Sequence, residues 1–74
     1  MPKITLAEAR AAGEELGLPP IITLEEAALV ARQSPFTIKR KVSEGYFPKS
    51  ARPGKPLRFW RDKYIVELMQ ERRR

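Results

Sequence analysis

The 74-residue sequence contains neither cysteine nor histidine. Without thiols, neither a disulfide framework nor a zinc–thiolate site can be built. Without imidazole, the commonest general base and the commonest metal ligand are missing as well. A serine–lysine or carboxylate-pair catalyst would still need a pocket, and so short a chain has little room to enclose one. Neither catalysis nor a cofactor is therefore expected. No run of about 18 apolar residues occurs, so no transmembrane helix is expected. The opening MPKITLAEAR meets Glu8 too early to form the apolar stretch of a secretory signal. The expected setting is the cytoplasm. What remains is one small domain, near the lower limit at which a single core holds without staples.

Charge is plentiful and unevenly placed. The formal net charge is +6, yet residues 1–26 carry two basic and five acidic side chains, while residues 27–74 carry thirteen basic and four acidic ones. A basic two-thirds behind an acidic leader suits a polyanion-binding face, although a solvated basic surface has the same composition.

Residues 22–47, ITLEEAALVARQSPFTIKRKVSEGYF, hold two helix patterns joined by a tight polar break. Thr23 and Glu26 stand at capping-box spacing, where hydroxyl and carboxylate satisfy each other's orphan backbone donors. Leu24, Ala27, Ala28 and Ala31 follow at helical spacing, and the alanines allow a second helix to cross closely. Arg32 and Gln33 interrupt the pattern. Ser34 then supplies a new N-cap, Pro35 occupies a first-turn position where no hydrogen bond is lost, and Gly45 is placed for a left-handed stop. Two helices joined in this way form a helix-turn-helix, the arrangement that lays its second helix in the DNA major groove.

On that second helix Ile38 and Val42 should face inward. At about 100° per residue, Phe36, Arg40 and Ser43 then point away, and Thr37, Lys39, Lys41 and Glu44 lie on the flanks. Two places are open to Phe36. It can stand outward, where an aromatic packs on thymine methyls, or fold under the first turn into the core.

Residues 4–17 read as an amphipathic helix with Thr5 as N-cap, Glu8 at the capping-box position, Leu6, Ala9 and Leu16 near one face, and Gly17 at its end. ITLAEARAA echoes ITLEEAALV eighteen residues later, but shared helix-start chemistry explains that without a repeat. Leu18, Pro19 and Pro20 make a semi-rigid link, dividing a leader at 1–20 from a domain at 21–74. Downstream of Gly45, Pro53 and Gly54 mark a turn between short extended pieces, with basic residues on both sides. A basic hairpin beside a helix-turn-helix is a wing, and its prolines keep the ladder short. Arg52, Lys55 and Arg58 there suit phosphates or a minor groove. Phe59 and Trp60 are expected to close the core. Asp62 can cap a last helix from 63 to about 72, in which Tyr64, Ile65, Leu68 and Met69 form the apolar stripe. The terminal Arg72, Arg73 and Arg74 complement its dipole and can also meet phosphate or a partner.

The run SPFTIKRKVSEGYFPKS, followed after a turn by LRFWRDKYIVELMQER, resembles the AlpA/excisionase branch of the MerR-type winged helix-turn-helix proteins. The elements that carry the resemblance are Thr23, Glu26 and Ala28; Ser34, Thr37, Ile38 and Arg40; Gly45, Phe47, Pro48 and Lys49; then Arg58, Trp60 and Arg61. It covers about residues 22–72. Lys39 and Lys41 depart from it, because the family usually has aromatic or apolar residues there; this helix should lean on phosphates more heavily. The resemblance implies a mainly α fold with a small β-hairpin wing, preceded here by a helical leader. It further implies a non-enzymatic protein that binds double-stranded DNA in association with the nucleoid. Such a protein acts either as an excision factor that bends DNA beside an attachment site and biases an integrase, or as a transcriptional regulator of mobile-element genes. Cooperative self-association on DNA would go with either role.

Carried over by position, Thr37 and Arg40 are the major-groove contacts; with their neighbours Ser34, Pro35, Phe36, Lys39 and Lys41 they make up the expected major-groove set. The wing and backbone set is Lys49, Arg52, Lys55, Arg58 and Arg61. Two other classes stay open: a protein-binding adaptor using the acidic leader and arginine tail, and an RNA binder, which would need exposed aromatics as a stacking platform. On charge alone, removing residues 1–20 should leave DNA binding intact or slightly stronger.

Overall fold

The computed structural model describes residues 5–52 and 54–72, with side chains as far as Gln70. Residues 1–4, Pro53, Arg73 and Arg74 lie outside it, and with them the start of the leader, the proline of the expected turn and the end of the arginine tail. In chain order the elements are α1 (Leu6–Glu15), β1 (Ile21–Thr23), α2 (Leu24–Ala31), α3 (Pro35–Ser43), β2 (Ala51–Arg52), β3 (Arg58–Trp60) and α4 (Arg61–Arg72). The chain is mainly helical, with one small antiparallel sheet in the order β1-β3-β2.

The central pair of helices follows from its caps. Thr23 Oγ1 accepts from the Glu26 N–H at 3.2 Å, and Glu26 Oε1 accepts from the Thr23 N–H at 2.9 Å, completing the capping box that starts α2. α2 closes when the Gln33 N–H donates to the Ala28 carbonyl and the Arg32 N–H to that of Leu29. This places Arg32 in the left-handed region, at φ 57°. Glycine is the usual occupant of such a cap, and an arginine there costs about 1 kcal/mol. Only residues 32–34 separate α2 from α3. Ser34 caps α3, Pro35 fills its first turn, and Gly45 at φ +95° closes it as the Tyr46 N–H reaches back to the Lys41 carbonyl.

The expected hairpin forms, but its ladder is shared with a strand that sequence reasoning did not anticipate. β3 pairs with β2 and, on its other edge, with β1. The register sets Ile22 opposite Phe59 opposite Ala51 on the inner face, and Ile21 with Trp60, and Thr23 and Arg52 with Arg58, on the outer. Beneath the sheet, Phe47, Phe59 and Tyr64 make the aromatic centre of the core. Tyr64 lies 5.0 Å from each of the other two rings, centroid to centroid. Its hydroxyl donates to the Ala27 carbonyl at 2.8 Å, tying α4 to α2. Ile22, Ala27, Ala28, Ala31, Ile38 and Leu68 complete the cluster.

Three expectations are corrected. Trp60 does not close the core: Phe59 is fully buried and Trp60 is 42% exposed, because successive strand residues point to opposite faces. Asp62 does not cap α4, since β3 runs into that helix with no residue between and Asp62 already lies in its first turn. Met69 is exposed, whereas Tyr64, Ile65 and Leu68 are buried as expected.

α1 is corrected on its face. Leu6 and Leu16 are exposed, and the buried residues are the small ones, Ala9 and Gly13. They allow α1 to lie close on α4, where the Arg61 stem fills the space beside Gly13. A Cβ built on Gly13 would stand 2.6 Å from Arg61 Nε and nearer still to Cδ. Gly13→Ala should therefore lower stability by about 1 kcal/mol in urea denaturation, although alanine favours a helix by a similar amount. In an Arg61→Ala background the same change should raise stability. A stabilising effect in both backgrounds would rule out the close approach.

Candidate nucleic-acid interface

Ile38, fully buried, and Val42, half-buried, fix the rotation of α3 about its axis. That rotation turns Phe36, Lys39, Arg40 and Ser43 to solvent. Of the two places open to Phe36 the structure takes the outer one, with 76% of the residue exposed. Lys39 and Arg40 enter no ion pair among the described residues. Ser34 and Pro35 are exposed at the start of the helix but occupied in building it. The Ser34 hydroxyl accepts from the Thr37 N–H at 3.2 Å and lies 2.8 Å from Thr37 Oγ1. The half-buried Thr37 thus has its hydroxyl engaged in the cap. Lys41 is half-buried, with Nζ 6.0 Å from the centroid of the Tyr46 ring. Of this group on α3 and its cap, Phe36, Lys39 and Arg40 are thus exposed, while Thr37 and Lys41 are half-buried.

A second basic group lies on the outer face of the sheet. Arg52 and Arg58 are directly opposed across β2 and β3. Like charges in that position destabilise a strand pair. The Arg52 guanidinium lies 5.0 Å over the Trp60 ring, a distance at which the ring quadrupole offsets part of that cost. Lys55 is exposed in the connection between the two strands. Sequence reasoning missed Trp60 as a member of this face. The signal was present, since alternation through Arg58, Phe59 and Trp60 sets the first and third on the side opposite the buried Phe59.

Arg61, expected among the backbone contacts, does not join these exposed groups. It is 5% exposed; Nη1 donates to the Leu18 carbonyl at 2.7 Å and Nε to Asp62 Oδ1 at 2.9 Å. Its guanidinium is consumed in pinning the link after α1 to α4, which removes it from reach of any phosphate. Lys49 is exposed, on the loop between α3 and β2. Its backbone N–H donates to Glu67 Oε1 at 3.0 Å. Partial burial pushes the Glu67 carboxyl above its ordinary value, against hydrogen bonds from Lys49 and Ser50 that pull it down. An open cleft of about 270 Å³ runs along this loop between Gly45 and Gln70. Among the described residues its one carboxylate is Glu67, already engaged in holding the loop.

Among the described residues no helix is long and apolar enough to cross a membrane. No known protein family, curated protein or solved structure matches the chain.

Proposed function

We propose that the chain is a winged helix-turn-helix DNA-binding protein of a mobile element, in which α2, the turn at 32–34 and α3 form the helix-turn-helix and the β2–β3 hairpin forms the wing. The observation that carries this reading is the outer face of α3. A well-capped helix, held by Ile38, presents Arg40, Lys39 and Phe36 to solvent, with no ion-pair partner for either cation among the described residues. Such a helix fits the major groove, where an arginine reads guanine and an apolar group meets a thymine methyl.

The opposed Arg52 and Arg58 support the wing assignment. Their mutual repulsion weakens the hairpin alone and is relieved when a phosphate lies between them. With Lys55 they hold the backbone while α3 reads the bases. The order of motifs in residues 22–72 resembles excision factors, and the specific role proposed is that of a recombination directionality factor working with an integrase. Several copies bind cooperatively, because so small a module makes limited contact alone. A transcriptional regulator of mobile-element genes would use the same surface.

Selection from a pool of random duplexes at physiological salt tests the reading. An enriched motif is expected, bound with a log–log salt slope between about −3 and −5, as about 0.9 per neutralised phosphate requires. Closely spaced direct repeats in the motif would favour the excision role, and a two-fold symmetric motif a dimeric regulator. Absence of any enriched motif would overturn the base-reading interface.

A further inference from the structure

Phe36 is an expensive residue to leave in water, and the rotation of α3 holds it there. It occupies the second position of α3, three-quarters exposed, and meets no other aromatic ring or cation among the described residues. Its neighbours one turn on are Lys39 and Arg40, both exposed, and no acidic residue occurs between positions 35 and 43. That frame argues against an apolar protein partner, since charged residues are depleted from the cores of protein interfaces. It suits an apolar atom carried on a polyanion. Such atoms are scarce on duplex DNA, and in the major groove the exposed one is the 5-methyl group of a pyrimidine.

We infer that Phe36 is a specificity-determining residue that packs on a pyrimidine 5-methyl group, so that the target is a duplex carrying thymine or 5-methylcytosine at a fixed place. This rests on the DNA-binding reading above and adds the chemistry of the base that is read. The geometry also gives the place. Arg40 lies four residues beyond Phe36, about 6 Å along the helix axis at 1.5 Å per residue. Against a rise of about 3.4 Å per base pair, the methyl group falls within about two base pairs of the guanine that Arg40 contacts. Burying one methyl group against the ring should strengthen binding by roughly three- to tenfold.

The test uses the full chain and the duplex recovered from the random pool. Each thymine is replaced in turn by uracil, which deletes the methyl group and leaves every hydrogen-bonding edge intact. In a separate arm each cytosine is replaced by 5-methylcytosine. The wild-type chain should lose three- to tenfold at one or two thymines near the Arg40 guanine, and Phe36→Ala should bind the thymine and uracil duplexes alike. A gain of similar size confined to the 5-methylcytosine arm would identify methylated cytosine as the source of the group. The side chain of Phe36 is exposed, so the variant should melt with the wild type, and thermal unfolding checks that it does. If neither substitution changes wild-type affinity, or if Phe36→Ala responds as strongly as wild type, the inference is overturned while DNA binding stands. A pool without any enriched motif would remove the base-reading interface, and this inference with it.

Discussion

Replacing Arg40 by alanine is expected to weaken binding to the selected duplex by about 10- to 100-fold, the loss that accompanies removal of one bidentate contact to a base. Three features make Arg40 the member of α3 on which most depends. It lies in the middle of the outward face rather than at its edge, it has no ion-pair partner to leave among the described residues, and the buried Ile38 two residues before it fixes its direction. The loss should be specific. Arg40→Ala should flatten the preference for one base pair, whereas Lys39→Ala should weaken all duplexes alike and reduce the salt slope by about 0.9. Because Arg40 is exposed, its variant should unfold at the wild-type temperature. Titration of both variants against the selected duplex and a scrambled one, at two salt concentrations, separates these effects. Equal losses on both duplexes for Arg40→Ala would assign it to the phosphates and leave α3 without its proposed base reader.

Tyr64→Ala should lower the melting temperature by roughly 15–35 °C, enough to leave much of the chain unfolded at 37 °C. The ring is fully buried at the meeting point of Phe47, Phe59 and α2, and truncating an aromatic in such a place costs about 3–5 kcal/mol. A chain of 74 residues holds only about 4–11 kcal/mol in all, and each kcal/mol moves the midpoint of so small a domain by about 4–8 °C. Tyr64→Phe isolates the hydroxyl. It keeps the ring packing, removes the bond to the Ala27 carbonyl, and should cost about 1 kcal/mol. Calorimetry on the pair divides packing from hydrogen bonding. A Tyr64→Ala variant melting within a few degrees of wild type would mean that the core is not organised around this ring.

The parts of the fold that could be read from the sequence are those governed by local chemistry. Thr23, Glu26, Ser34, Pro35 and Gly45 specify two helices and their break through hydrogen bonds that span six residues or fewer, so the linear order suffices. The outward set on α3 follows from helical period once Ile38 is taken as buried. The parts that were not legible depend on contacts between distant residues. β1 is three residues long and acquires its identity from β3, 37 residues away, so no local pattern announces it. Arg61 has the composition of a phosphate ligand and acts as an internal clamp because the Leu18 carbonyl, 43 residues earlier, lies within reach. The face on which α1 packs is not legible for a related reason. Leucines at helical spacing suggest burial, but against the Arg61 stem only Ala9 and Gly13 are small enough to approach. The clamp also bears on truncation. Deleting residues 1–20 would take acidic charge from near the proposed DNA, but it would also uncover α4 and leave the Arg61 guanidinium without the Leu18 carbonyl, so a cost in stability should accompany any gain in affinity.

The hairpin is anchored twice at its base. At its base the Trp60 N–H donates to the Ser50 carbonyl at 2.8 Å, and beyond Trp60 the chain continues as α4 without a connecting residue. Hairpin and helix therefore share one frame, with no hinge between them. A loop free to sample many orientations must surrender that freedom when it settles on a surface, and the surrender subtracts from affinity. Here the strand positions that carry Arg52 and Arg58 are settled when the domain folds. The entropy of placing them is lost at that stage, and docking has correspondingly less to lose.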